Sequence, residues 1–161
     1  STTNVAHSIG VAVSEAAAVT AGSSAAAKLD TVISSYQITC TVPDTKVYFT
    51  KDGTYNIQFS MQLLNYATAE DNVTVWFKKN GNVIDNSASI EQVNQIHGGS
   101  PGATIIALNF LDQFAAGDYV ELFWTSESGN TVLATYPPGT SPTHPASPSL
   151  ILTVTFVSAL P

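Results

Sequence analysis

From Tyr55 to Leu63 an apolar side chain alternates with a polar one without a break: Tyr55, Ile57, Phe59, Met61 and Leu63 against Asn56, Gln58, Ser60 and Gln62. A side-chain repeat of two belongs to a strand, so the first set shares one face and the second set the other. Burying the five apolar side chains is worth roughly 1.5–3 kcal/mol each, and a slip of one residue turns all of them outward, so the register is strongly specified. A chain organised on this strand must supply a second sheet to cover its apolar face.

The 161 residues fit one domain with a core large enough to need neither metal nor disulfide. Charged residues make up 11% of the sequence, against an ordinary value of about 25%, so Ser, Thr, Asn and Gln dominate the surface and leave room for burial against partner subunits. Twelve acidic residues stand against five lysines and no arginine, a formal charge of −7. Gripping nucleic acid or an anionic membrane surface takes Lys and Arg, so neither is an expected partner. No apolar run reaches the ~18 residues of a membrane span, and no basic-then-apolar start marks a signal peptide. The expectation is therefore a protein made in a cell's cytoplasm, with no membrane insertion.

Strand signals continue along the chain. Residues 32–42 and 46–50 read as strands separated by Pro43-Asp44, and Asp52-Gly53 turns into the organising strand. Residues 72–79 form the next strand and end at Asn80-Gly81, the strongest short hairpin signal. Val83-Ile84 and residues 88–96 follow, then a loop at 97–102, a strand at 103–111 with imperfect alternation, and a turn at 115–118. Residues 119–124 are apolar on both faces: Val120, Leu122 and Trp124 on one, Tyr119 and Phe123 around Glu121 on the other. The outer face of a sandwich strand is ordinarily solvated, so Tyr119 and Phe123 point to a neighbouring subunit. Residues 131–136 are a further strand, 137–149 a stiff loop with five of the eight prolines, and 150–157 a β-rich closing strand. Eight or more short strands with no convincing helix mean an antiparallel two-sheet β-sandwich or jelly roll over residues 31–161. Residues 1–30, low in complexity, read as an N-terminal docking arm and first edge strand, with a disordered terminus as the alternative.

Catalytic patterns are absent: there is no Gly-x-Ser-x-Gly elbow, no phosphate loop, and His97-Gly98-Gly99 lacks an accompanying nucleophile and base. The chain is not expected to be an enzyme or to hold a cofactor. His7, His97 and His144 lie far apart in Gly-, Pro- or Ser-rich settings, where exposed loop histidine is a better account than metal ligation. Glu70-Asp71 and the acids of 112–118 lack the oxygen-ligand spacing of a calcium loop. Cys40, the single cysteine, reads as a small buried hydrophobe. Tyr66, Tyr136 and the proline-rich loop are the candidates for a sugar platform.

Four blocks taken in order carry a likeness: residues 53–60, Val75-Trp76-Phe77-Lys78-Lys79-Asn80-Gly81, Ala116-Gly117-Asp118-Tyr119-Val120-Glu121-Leu122 with Trp124, and Gly139-Thr140-Ser141-Pro142 leading to residues 148–154. Their order and spacing over residues 50–157 resemble the C1q/TNF-like jelly-roll domains of virion structural proteins in tailed phages, marine and cyanobacterial ones especially. That resemblance implies a jelly roll of about ten strands assembled as a homotrimer. It places Tyr119, Glu121 and Phe123 at the trimer contact. It further implies a non-enzymatic capsid decoration or cement protein, or the knob of a short fibre, on the virion exterior and bound to capsid or tail proteins. The alternative is a tail-fibre module recognising a host surface glycan or receptor through loops that carry His97, Tyr136, Pro138 and His144.

Overall fold

The computed structural model describes residues 7–11 and 17–161, with 7–11 and Ala17 described by backbone alone. In chain order the strands are β1 (His7–Val11), β2 (Ala17–Ala18), β3 (Ala25–Ala26), β4 (Ser35–Tyr36), β5 (Ile38–Thr39), β6 (Val47–Phe49), β7 (Gly53–Asn65) and β8 (Asp71–Lys79). They continue with β9 (Asn82–Val83), β10 (Ser89–Val93), β11 (Gly102–Phe114), β12 (Tyr119–Ser126), β13 (Thr131–Leu133), β14 (Gly139–Thr140), β15 (Thr143–His144) and β16 (Leu150–Ser158). No helix occurs among the described residues. The chain is all-β, with antiparallel pairing throughout two seven-stranded sheets that pack as a sandwich.

β7 is the central strand of the first sheet. β11 pairs with it over its full length on one side; β16 and then β13 pair with it on the other, with β1 beyond β16. The second sheet runs β10-β8-β12-β6-β5, with β3 added to β12 and β9 to β8. The alternation read from the sequence governs the packing: Tyr55, Ile57, Met61 and Leu63 are at most 1% exposed and Phe59 is 6% exposed. They meet Val73, Val75 and Phe77 of β8 and Val120, Leu122 and Trp124 of β12 in one core. The Asn80-Gly81 hairpin has both residues at positive φ, 53° and 84°, the twist that joins two strands by a two-residue turn. Asn80 then braces the next strand, donating to Asp118 and accepting from the Tyr119 N–H.

Two expectations are corrected. Residues 32–42 do not make one strand, because Gln37 has φ 61° and separates β4 from β5; a left-handed residue cannot continue a strand. Residues 17–30 belong to the sandwich and are not separate from it. β2 pairs with β13 in the first sheet and β3 with β12 in the second, and Val19, Ala27 and Leu29 join the core. The segment therefore crosses from one sheet to the other, its apolar residues gaining more from burial than from solvent. Nor is β1 a bare edge, since β16 and β4 flank it. Residues 1–6 and 12–16 of the expected arm lie outside the described residues.

Gly102, where β11 begins, is set by a close backbone approach. A Cβ there would sit 1.7 Å from the Asn94 carbonyl oxygen and 2.9 Å from that of Gln95. The contact is backbone against backbone, so no side-chain rotation relieves it. Gly102→Ala is expected to cost about 2–3 kcal/mol in urea unfolding, an overpacking penalty, while Gly98→Ala, with nothing near its Cβ, costs less.

Candidate functional site

The outer faces of the two sheets differ in chemistry. On the second sheet, β12 and β8 set aromatic rings beside charges. The Tyr119 ring lies 5.5 Å from that of Tyr48, with the Lys46 ammonium 4.9 Å from its centroid. The Phe123 ring lies 6.1 Å from Trp76, and the Lys78 ammonium is 4.0 Å from its centroid. Glu121, 9% exposed, accepts a hydrogen bond from Thr45 Oγ1 at 2.6 Å. Tyr119, Glu121 and Phe123 thus share the face the sequence assigned them, but rings and lysines of the same chain half-cover the two aromatics. The two-faced apolarity of β12 has an explanation within one chain.

Lysines are used in the same way elsewhere. Lys51 lies over Phe156 and Lys79 over Phe114, so four of the five lysines sit on aromatic rings. The one ion pair among the described residues joins Lys79 to Asp112 at 3.1 Å. The cations are thereby drawn onto the fold, and no basic patch forms.

On β7, β16 and β11 the outer face of the first sheet carries no charge. β7 presents Thr54, Asn56, Gln58, Ser60 and Gln62; β16 presents Ile151, Thr153 and Thr155; β11 presents Ala103, Ile105, Ala107, Asn109, Leu111 and Gln113. Exposed apolar side chains collect on β11, with Ile105 at 62%, Leu111 at 60% and Leu108 at 42%. Leu108 belongs to the inward row, yet it is exposed, because the seam between β11 and β10 is open there. Ser89, Ile90, Glu91 and residues 105–108 line that opening. Sequence reasoning missed this strand as a site, although its imperfect alternation, apolar on both sides with no charge before Asp112, was the available signal.

Of the loop candidates, Tyr136 is 41% exposed and its backbone bridges to Ser147, which closes the proline-rich loop. The His144 ring is held against Gly139, its Nδ1 3.0 Å from the Pro145 carbonyl, and Pro138 is exposed. His97 bridges to Ser100 in its own turn. No hydrogen bond or ring contact joins His97 to the other three among the described residues. Gln62, beside Tyr136, already donates to the Pro148 carbonyl and accepts from Ser147, so its amide is not presented for a sugar.

The acidic candidates are tied into the fold. Asp71, 2% exposed, accepts from Ser126 Oγ, from Thr131 Oγ1 at 2.6 Å and from the Ser128 N–H at 2.8 Å. Burial alone would raise its pKa, but these bonds outweigh it and hold the carboxyl below the usual carboxylate value. Asp118 shifts the same way: burial opposes, and bonds from the Ala115 N–H and Asn80 with the Lys79 charge prevail. No group of three or more His, Cys, Asp or Glu able to hold a metal occurs among the described residues. The Cys40 thiol is pushed up to about 11, chiefly by burial and secondarily by Asp44, so it stays protonated and unreactive at neutral pH.

Fold and site together define an antiparallel β-sandwich with several ionisable groups tied into the fold and with three of its exposed apolar side chains, Ile105, Leu108 and Leu111, on one edge strand. Neither a protein-family model nor a curated protein matches the chain.

Proposed function

We propose that the chain is a non-enzymatic structural protein of a phage virion, a C1q/TNF-like jelly roll that assembles as a homotrimer on the particle exterior and decorates or cements the capsid or forms the knob of a short fibre. What supports the jelly-roll reading is the strand order. With β1, β6, β7, β8, β10, β11, β12 and β16 taken in chain order as the first to the eighth, one sheet runs first, eighth, third, sixth and the other second, seventh, fourth, fifth, an arrangement of two Greek keys wrapped together. The observation that carries the assembly is the uncharged outer face of the first sheet. In a chain of net charge −7 and few lysines, a face of Thr, Ser, Asn, Gln, Ala, Ile and Leu is one that identical copies can bury without repulsion. The contact thus moves from Tyr119, Glu121 and Phe123 to the face of β7, β11 and β16.

The expected result in sedimentation equilibrium at micromolar concentration is a species of about three times the 16.9 kDa of one chain. Gln58→Lys, an exposed substitution at the middle of the face, is expected to remove that threefold species, since three buried ammonium groups would be brought together. A wild-type chain that sediments singly overturns the trimer. Three-fold density on intact particles labelled with antibody against the chain tests the virion role, and labelling confined to a tail tip with glycan-dependent attachment would favour the receptor-binding alternative.

A further inference from the structure

We propose that β11 pairs edge to edge with β11 of a second copy, antiparallel about a two-fold axis at Leu108, so that the first sheet runs continuously through two chains. This contact goes beyond the trimer reading and is separate from it, because it uses the hydrogen-bonding edge of the sheet and not its face.

The backbone shows which groups are available. Gln62, opposite Ile105 in the β7–β11 ladder, donates its N–H to Ser149 at 2.8 Å and accepts from the Ala134 N–H at 3.0 Å, both away from β11. Ile105 is therefore in a non-hydrogen-bonded pair with Gln62, and its own N–H and C=O point to the free edge, as do those of Ala103, Ala107, Asn109, Leu111 and Gln113. Lys79 Nζ reaches the Gln113 carbonyl at 2.6 Å, consistent with that direction. β11 pairs with no strand but β7 among the described residues. Sheet edges are ordinarily protected by Lys, Pro, bulges or brevity. Here thirteen residues pair with β7 without a bulge, and there is no Pro and no charge before Asp112.

The sequence of β11 says what covers it. The outward groups all belong to odd-numbered residues, so any added antiparallel strand must set its own outward residues against them. With the axis at Leu108, Ile105 faces Leu111 of the second copy, Ala107 faces Asn109, Ile106 faces Phe110, and Leu108 faces itself. Ile105, Ile106, Leu108, Phe110 and Leu111 each meet another large apolar residue, and both rows match at once. This register also has the longest overlap a self-pairing can reach, from Ala103 to Gln113. It would close the open seam where Leu108 is exposed beside Ile90. Association by this edge should strengthen with salt, because each chain carries −7.

Cysteine cross-linking tests both contact and register. Residues facing each other in a narrow, non-hydrogen-bonded pair lie about 4.5 Å apart at Cα, within disulfide range. Leu108→Cys is expected to give a disulfide-linked dimer under mild oxidation, whereas wild type, with Cys40 alone, does not. Ile105→Cys and Leu111→Cys are expected not to link singly but to link when mixed. Ala107→Pro, which removes an outward N–H that β7 does not use, is expected to abolish the Leu108→Cys product. The same product must persist in a Gln58→Lys background, which separates this contact from the threefold one. Absence of the Leu108→Cys dimer, or equal linking of Ile105→Cys alone and mixed, overturns the proposal.

Discussion

Asp71→Ala is expected to lower the stability of the fold by about 3–4 kcal/mol, with a melting temperature about 10 °C lower. The carboxylate is the common acceptor for Ser126 Oγ, Thr131 Oγ1 and the Ser128 N–H. Ser126 Oγ in turn accepts from the N–H groups of Gly129 and Thr131. Removing the acceptor strands buried donors in the turn between β12 and β13, and that turn positions β13 against β7. The neighbouring Asn65, fully buried, ties the same end of the sandwich through Ala67, Ala69 and Val93. Because the folded pKa lies below the unfolded value of 3.8, the carboxylate stabilises the protein above pH 3.8 and that stabilisation disappears as pH falls through the folded pKa. Asp71→Asn should therefore be less stable than wild type at pH 7 and should lose less on acidification to pH 3. Urea midpoints at the two pH values measure both effects; equal acid losses would show that Asp71 is not the group responsible.

Phe49→Ala is expected to cost about 3–5 kcal/mol, the range for deleting a buried aromatic ring. Phe49 belongs to β6 in the second sheet, is 1% exposed, and reaches across the core. Its ring stacks on Phe114 of β11 with centroids 4.0 Å apart and meets Tyr55 of β7 edge-on at 4.6 Å. The deletion removes a link between sheets and leaves a void beside two rings that are themselves fixed, Tyr55 by its hydroxyl on the Lys51 carbonyl. Thermal unfolding should show the loss without a change in folded-state far-UV signal. Tyr48→Ala, one residue earlier but 37% exposed, should cost much less.

Much of the core was legible because strands announce themselves by local alternation. The row from Tyr55 to Leu63 and the row Val120, Leu122, Trp124 are the two halves of the buried interior, and each can be read from a few consecutive residues. The hairpin at Asn80-Gly81 was equally plain, since positive φ at two successive positions favours those residue types. The site was less legible. Tyr119 and Phe123 looked unpartnered in sequence, and only pairing brought Tyr48, Trp76, Lys46 and Lys78 to them from two other segments.

The amino-acid sequence by itself determined an all-β chain, the register of its central strand and its poverty in cations, because these depend on neighbours along the chain and on composition. Tertiary structure alone decided that residues 17–30 belong to the sandwich, that Asp71 is held by a turn 55 to 60 residues away, and that among the described residues β11 ends a sheet with one edge unpaired. Which side chains are covered, and which strand has no neighbour, follows from contacts between distant segments, and local periodicity carries no record of them.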